Sequence, residues 1–154
     1  MKVYKFEDLV VWQLARTLVK DIYSSFKTCR DFGFNDQIQR AAISIMNNIA
    51  EGFERSNNSK DNKQFLNFLN IAAGSCGEVR SMFYAAEDLG YIDEEKAKLF
   101  RNRCIDLSLK LNSFMETLRQ HDASTRSYQH TVTNTAKPLL TRSNKHGGAV
   151  TNTQ

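Results

Sequence analysis

The strongest folding signal in the chain is the stretch AKLFRNRCIDLSLKLNSFMETL, residues 97–118. Its apolar side chains recur at alternating steps of three and four residues, a spacing that keeps them on one face of an α-helix. The members of this stripe are Ala97, Phe100, Cys104, Leu107, Leu111, Phe114 and Leu118. Most of the other positions are polar, so the pattern predicts a helix with one face buried in a core.

Three earlier segments show the same helical spacing, and glycines at positions 33, 52 and 90 separate the segments from one another. The predicted helices cover about residues 7–29, 36–51, 59–89 and 93–119. Asp36 with Gln39 is typical of a capping box at the start of the second helix, and Gly52 of a stop at its end. Asp93 is predicted to cap the fourth helix.

These segments predict an all-α fold, an antiparallel up-down-up-down four-helix bundle over residues 1–120. Seven-residue spacing favours nearly aligned helix packing, and short connectors favour antiparallel neighbours. The single proline, Pro138, lies beyond all four segments. Residues 121–154 are rich in Ser, Thr and Asn and carry four basic residues against one acidic residue. They are predicted to form a flexible, basic tail.

Composition excludes several classes of protein. No apolar run is long enough to span a membrane, and three cysteines do not make a disulfide framework, so a cytoplasmic protein is expected. The three histidines lie at positions 121, 130 and 146, so the predicted bundle contains no imidazole for general-base catalysis or metal binding. We therefore expect no enzymatic activity, no cofactor and no metal site.

Cys76 and Cys104 fall on the apolar stripes of the third and fourth segments. Cysteine is often buried, so the favoured interpretation is that both are inert packing residues, with a redox role as the alternative. Cys29 lies at a helix end and has no neighbour in sequence that would activate it.

A polar stripe on the second segment is unusual beside so apolar a face. It is formed by Arg40, Ser44, Asn48, Glu51 and, just beyond, Arg55. If the second and third segments are antiparallel, the third segment offers Gly74, Ser75, Gly77 and Glu78 at about the level of Arg40. Glycine inside a helix costs about 1 kcal/mol relative to alanine, so close approach of another backbone is the expected compensation. We expect an Arg40–Glu78 ion pair with Ser44, Asn48 and Ser75 as hydrogen-bonding neighbours; the alternative is a solvated face without a role.

Three strings of residues resemble a bacterial four-helix bundle family. They are FEDLVVWQLA at residues 6–15, QIQRAAISIMNNIAEG at residues 37–52, and Phe65–Phe68 followed by IAAGS at residues 71–75 and Glu78. The family contains proteins encoded in the intervening sequences of 23S ribosomal RNA and the accessory variability proteins of diversity-generating retroelements. The resemblance covers about residues 4–119 and does not extend to the tail.

The resemblance implies a ring-like homo-oligomer, a pentamer, that binds RNA or DNA and, in the retroelement members, a reverse transcriptase. Phosphate contacts require cations, and the candidates in this chain are Arg16, Lys20, Lys27, Arg30, Lys60 and Lys63. The alternative is a scaffold that binds itself or another protein without nucleic acid. Trp12, Val19 and Phe26 form a second apolar stripe on the first segment and are the candidate interface residues.

Overall fold

The computed structural model describes residues 3–56 and 62–135, and all regular secondary structure in this part of the chain is helical. A short 3₁₀ helix, Phe6–Asp8, precedes four α-helices. These are α1 (Val10–Ser25), α2 (Phe32–Ser56), α3 (Lys63–Asp88) and α4 (Glu94–Thr135). The expected all-α class with four helices is confirmed. Lys60 and residues 136–154 lie outside the described residues, and no described helix has the length and apolar character needed to cross a membrane.

One apolar core joins the four helices, and the predicted stripes supply it. On α3 the whole stripe from Phe65 to Ala86 is buried, and on α4 it is buried as far as Leu111. Phe114 and Leu118 are half-buried and pack against the same core, while Met115 is buried beside them. Since helical spacing alone selected these positions, the sequence pattern carried most of the information about the core.

Paired contacts show the direction of the central helices. From one end of the bundle to the other, Gln37 contacts Glu78, Ser44 contacts Ser75, and Gly52 lies against Phe65 and Phe68. The residue numbers rise on α2 as they fall on α3, so these two helices are antiparallel. Phe65–Phe114, Cys76–Cys104 and Phe83–Phe100 show the same relation between α3 and α4.

The start of α2 differs from the sequence prediction. The helix begins at Phe32, four residues before Asp36, and the backbone N–H of Phe34 donates to Asp31 Oδ1 at 3.0 Å. Asp31 therefore caps the helix. The expected Asp36–Gln39 capping box is wrong, because the Gln39 side chain donates to Asn35 Oδ1 at 2.6 Å. The Asp93 cap is confirmed, because Lys96 N donates to Asp93 Oδ1 at 2.8 Å.

The structure gives Gly52 the close helix contact that was expected at Gly74 and Gly77. Gly52 does not stop α2, which continues to Ser56; it is buried where α3 comes closest, and a Cβ there would lie 2.5 Å from Phe68 Cβ. Close approach of another backbone was expected at Gly74 and Gly77. A Cβ added at either position would have no atom of another residue within 4 Å, so that expectation is wrong. Gly90 ends α3 as predicted, with a φ of 70° that favours glycine.

The fourth helix is longer than the sequence suggested. It continues past residue 120 to Thr135, so residues 121–135 are helical where a flexible tail was expected. No glycine or proline interrupts residues 91–137, which leaves no strong signal to end the helix earlier. Asp122 also ties the extension to the bundle, because its carboxylate accepts from Asn62 N at 3.1 Å and from Asn62 Nδ2 at 2.8 Å, next to the start of α3.

Asp31 also links the start of α2 to the turn before α4. Its second carboxylate oxygen accepts a hydrogen bond from the Tyr91 hydroxyl at 2.7 Å. The hydrogen bonds from Phe34 N–H and from Tyr91 lower the pKa of Asp31 below its usual value, and the bond to Asp31 raises the pKa of Tyr91. The ionised carboxylate and the protonated phenol therefore stabilise the folded state together.

We expect Gly52→Ala to lower the free energy of unfolding by about 1–3 kcal/mol, because the new methyl group overlaps Phe68 where two helix backbones meet. Gly74→Ala is the matched control. It should raise the free energy of unfolding by about 1 kcal/mol, because the new methyl group meets open space and alanine is the better helix former. Urea denaturation of both variants measures the difference. Equal effects of the two substitutions would contradict the close contact at Gly52.

We expect Tyr91→Phe to destabilise the protein near neutral pH, and the difference from wild type to shrink in acid. A carboxylate with a lowered folded pKa contributes stability above its unfolded pKa, about 4, and loses that contribution as pH falls through the folded value. Urea denaturation at several pH values tests this. Tyr23→Phe is the control, because the Tyr23 hydroxyl is exposed and has no hydrogen bond within the described residues. A difference independent of pH between about 7 and 2 would contradict the coupling to Asp31.

Candidate nucleic-acid interface

The polar stripe of α2 is a seam between α2 and α3. Ser44 and Ser75 share a hydrogen bond of 2.9 Å between their hydroxyls. Asn48 Nδ2 donates to Ser44 O at 2.7 Å and to Ser44 Oγ at 3.1 Å. The expected grouping of Ser44, Asn48 and Ser75 is confirmed, and all three are half-buried with partners inside the seam. The seam therefore satisfies polar groups at a helix contact and leaves none directed at a ligand.

The expected Arg40–Glu78 ion pair is wrong. Arg40 Nε lies 2.8 Å from Asp36 Oδ2, one helical turn away, and its side chain is 77% exposed. The hydrogen bond to Asp36 raises the pKa of Arg40. Glu78 instead accepts from Gln37 Nε2 at 3.4 Å. The four-residue spacing of Asp36 and Arg40 was the sequence signal for the observed pair. Side chains four residues apart are neighbours on a helix surface, so Arg40 finds Asp36 on its own helix and does not need a partner on α3.

The last members of the stripe also form a surface pair. Arg55 Nη2 lies 2.6 Å from Glu51 Oε1, and the Arg55 guanidinium sits 5.4 Å from the centre of the Phe68 ring. Both charged side chains are about half exposed, so this pair is solvated. The stripe thus combines a half-buried serine–asparagine seam with exposed ion pairs at its ends.

A different group of charges stands out at the other side of the bundle. Arg16 and Lys20 on α1, and Lys27 and Arg30 in the turn after it, are all exposed. None of the four forms an ion pair with a described carboxylate. Arg16 and Lys20 lie opposite the buried positions of α1, which are Val11, Ala15, Leu18 and Ile22. We call these four cations the α1 basic face.

The two carboxylates nearest in sequence do not form ion pairs with this face. Asp21 Oδ2 lies 2.8 Å from Arg103 Nη1 on α4. Asp31, which directly follows Arg30, instead accepts hydrogen bonds from the Phe34 N–H and the Tyr91 hydroxyl. Most other arginines are similarly occupied: Arg40, Arg55, Arg101 and Arg119 each pair with a carboxylate. Three further cations lack an ion pair among the described residues, namely Arg80, Lys96 and Lys98, and the two lysines follow the acidic run 93–95. The α1 basic face is therefore the main concentration of uncompensated positive charge described.

The structure does not bring every predicted cation to this face. Lys63 is exposed in the first turn of α3, a helix whose backbone does not directly neighbour that of α1 within the described residues. Lys60 lies outside the described residues. The predicted set therefore divides into the α1 basic face and at least one separate cation, as their positions on the first and third predicted segments suggested.

An apolar groove lies on another side of α1, where that helix meets α4. Its wider part has a volume of about 420 Å³ and is lined by Val3, Leu9, Val10, Val11 and Phe114, with Asp8, Lys110 and Ser113 among the polar residues. A second, narrower pocket of about 230 Å³ lies between the same two helices, and its lining includes Leu14, Leu99 and the polar residues Asn102, Arg103 and Asp106. We refer to the two pockets together as the groove. Val10 is 59% exposed and Leu99 57% exposed, which is high for large apolar side chains.

The candidate interface residues separate in the structure. Phe26 is fully buried and packs against Phe34 and Phe83, with ring centres 5.4 Å and 6.1 Å away, so its assignment to a subunit interface is wrong. The reason is that the chain turns directly after α1 and folds this ring into the core. Trp12 and Val19 are half-buried. Sequence analysis missed Val10 and Leu99, since both lie off the regular stripes.

The described residues contain no group of three or more His, Cys, Asp or Glu side chains arranged to hold a metal ion. Cys76 and Cys104 are buried as expected. His121 is exposed on α4, distant in sequence from any other described histidine.

Comparison with known proteins identifies the family. The model of the 23S rRNA-intervening sequence protein family matches residues 7–113, which is more than half of the chain. The chain belongs to this family. No curated protein matches. A crystal structure of a protein of unknown function, from the S23 ribosomal protein family of Bacteroides thetaiotaomicron, is similar with a TM-score of 0.62. It is 24% identical, and the alignment covers 69% of this chain and 98% of that one, which supports the shared fold.

The matched region of this intervening-sequence family protein ends within α4. It includes the α1 basic face, the serine–asparagine seam and most of the groove, whereas α4 continues 22 residues beyond position 113. Asp122, which accepts the hydrogen bonds from Asn62, therefore lies in a part of α4 outside the family match.

Proposed function

We propose that this protein is a non-catalytic, RNA-binding member of the 23S rRNA-intervening sequence family, acting in the cytoplasm as a homo-oligomer. The observation that carries the proposal is the α1 basic face: four exposed cations that form no ion pair with a described carboxylate. RNA backbones offer closely spaced phosphates, and neutralising them with Lys and Arg releases condensed counterions. Base-specific recognition is not part of the proposal.

The free-energy balance favours the α1 basic face over the other cations. An arginine that is paired with a carboxylate must break that ion pair before it binds a phosphate. The free energy of the broken pair reduces the free energy gained from the phosphate contact. The four cations of the α1 basic face have no such cost. Arg16 also lies 5.7 Å from the centre of the Trp12 ring, so a cation–π contact helps to hold its guanidinium in place.

The non-catalytic part of the proposal rests on how the titratable groups are used. The strongly hydrogen-bonded carboxylate, Asp31, caps α2 and holds Tyr91, and the buried thiols lie inside the core. These groups have structural partners, and no described cleft brings them together as acid, base and nucleophile.

Self-association is a second proposed property, supported by the groove between α1 and α4. Val10 and Leu99 expose apolar surface along a concave path that another copy of the chain would cover. A pentameric ring, as the family resemblance implies, would present five α1 basic faces and gain avidity for one RNA. The same groove supports the alternative function, a scaffold without nucleic-acid binding. DNA and a reverse transcriptase stay as candidate partners through the resemblance alone.

We expect the quadruple variant R16Q, K20Q, K27Q and R30Q to bind RNA much more weakly than wild type. If each cation contacts one phosphate of single-stranded RNA, the slope of log K against log salt should fall in magnitude by about 3 per protomer. Fluorescence anisotropy of a labelled mixed-sequence single-stranded RNA, measured from low to raised salt, gives both quantities. A single-stranded DNA of the same sequence in a parallel titration distinguishes the two nucleic acids.

The matched control is the variant R40Q, R55Q, K110Q and R119Q, which removes the same number of charges from exposed ion pairs. It should retain most of the affinity. A third variant, K137Q, R142Q and K145Q, tests the residues after α4 in the full-length chain. Equal losses in the first two variants would show that only net charge matters, and no binding by wild type at low salt would refute RNA binding.

We expect Leu99→Gln to reduce the oligomeric mass measured by light scattering at micromolar concentration, because it places a polar amide in the apolar groove. Ile71→Gln is the control: Ile71 on α3 is 52% exposed and lies outside the groove. A monomeric wild type would refute self-association. An oligomer weakened equally by both substitutions would place the interface elsewhere.

A further inference from the structure

Two free cysteines meet in the core between α3 and α4. Cys76 Sγ donates to the backbone oxygen of Cys104 at 3.2 Å, and both side chains are fully buried. A disulfide requires two cysteines on elements that lie close together, and the Cys76 thiol on α3 contacts the backbone of Cys104 on α4 directly. Neither cysteine belongs to the α1 basic face or to the groove.

The helix around Cys76 is weakened by two glycines that packing does not explain. Gly74 and Gly77 occupy neighbouring positions on α3, and a Cβ at either would have nothing within 4 Å. Glycine lowers helix stability relative to alanine, so this turn of α3 opens more readily than the rest of the helix. Local opening here exposes Cys76, which the closed structure hides.

We propose that Cys76 and Cys104 form a reversible disulfide, a redox latch that joins α3 to α4 and that oxidants reach through local opening at Gly74 and Gly77. The oxidant is a low-molecular-weight disulfide of the glutathione class. Oxidation closes a covalent link between two helices of the core and stabilises the folded chain. Thiol reductants reverse it.

The exchange proceeds in two balanced steps. The Cys76 thiolate attacks one sulfur of the small disulfide, forms a mixed disulfide and releases one thiolate. Cys104 then loses its proton and attacks the Cys76 sulfur, which forms the Cys76–Cys104 bond and releases the second thiolate. The two protons from the cysteines go to the two leaving thiolates. Two protein thiols are thereby oxidised, and one small disulfide is reduced to two thiols.

The local electrostatics agree with this order of attack. Interaction with the Cys104 side chain lowers the pKa of Cys76, while interaction with Cys76 and burial raise the pKa of Cys104. In the folded structure Cys76 is therefore the more readily ionised thiol, which favours Cys104 as the resolving thiol.

Oxidation of the full-length Cys29→Ser protein tests the latch, because this substitution removes the half-buried third thiol. After incubation with oxidised glutathione, intact mass should fall by the mass of two hydrogen atoms. Thiol titration in denaturant should find no free thiol, and the melting temperature should rise until reductant is added. A lasting glutathione adduct, or two unreacted thiols, would overturn the proposal.

The rate of oxidation tests the route. The double variant G74A and G77A, in the same Cys29→Ser background, should react roughly 20-fold more slowly, because two alanines favour the closed helix. The control is Gly33→Ala in α2, which makes the same substitution far from the cysteines, where a Cβ meets only an ordinary contact at 3.5 Å. Equal rates in the double variant and the control would overturn the role of the two glycines.

Discussion

The close approach of α2 and α3 at Gly52 constrains the rest of the bundle. No side chain larger than hydrogen fits there, because a Cβ would overlap Phe68 and Phe65. About two helical turns further along, the Ser44–Ser75 hydrogen bond keeps the same two helices together through small polar side chains. α1 and α4 are then added on either side of this central pair. They contact each other least among the neighbouring helices, and the apolar groove lies between them.

Helical spacing predicted the core well and the helix ends less well, for a physical reason. Burial depends on which face a residue occupies, and the face follows from sequence separation alone. A helix end depends on which side chain finds the free N–H groups. Asp31 and Asp36 are both plausible caps by type, and only the structure shows that Asp31 holds Phe34 N–H while Tyr91 stabilises its carboxylate. Tyr91 is 60 residues away in sequence, so no local pattern contains this information.

Charged residues show the same limit at the candidate site. Local spacing explains the Arg40–Asp36 pair, which sequence analysis assigned to a more distant partner. The Asp21–Arg103 pair joins residues 82 positions apart and could not be predicted, yet it is the reason that Asp21 does not form an ion pair with Lys20 or its neighbours on α1. A list of exposed cations can thus be made from sequence. Their pairing, which decides whether they are available to phosphate, requires the arrangement of the helices.

The three sides of α1 make self-association and RNA binding compatible. Val11, Ala15, Leu18 and Ile22 face the core, Val10 and Leu14 line the groove toward α4, and Arg16 and Lys20 lie opposite the core. Since an α-helix turns by about 100° per residue, a partner seated in the groove need not cover the cations. Assembly through the groove would then repeat the basic faces on the outside of the core and multiply their phosphate contacts. A partner that covered Arg16 and Lys20 would instead make the two properties exclusive, and each cation would have to be desolvated at the protein interface.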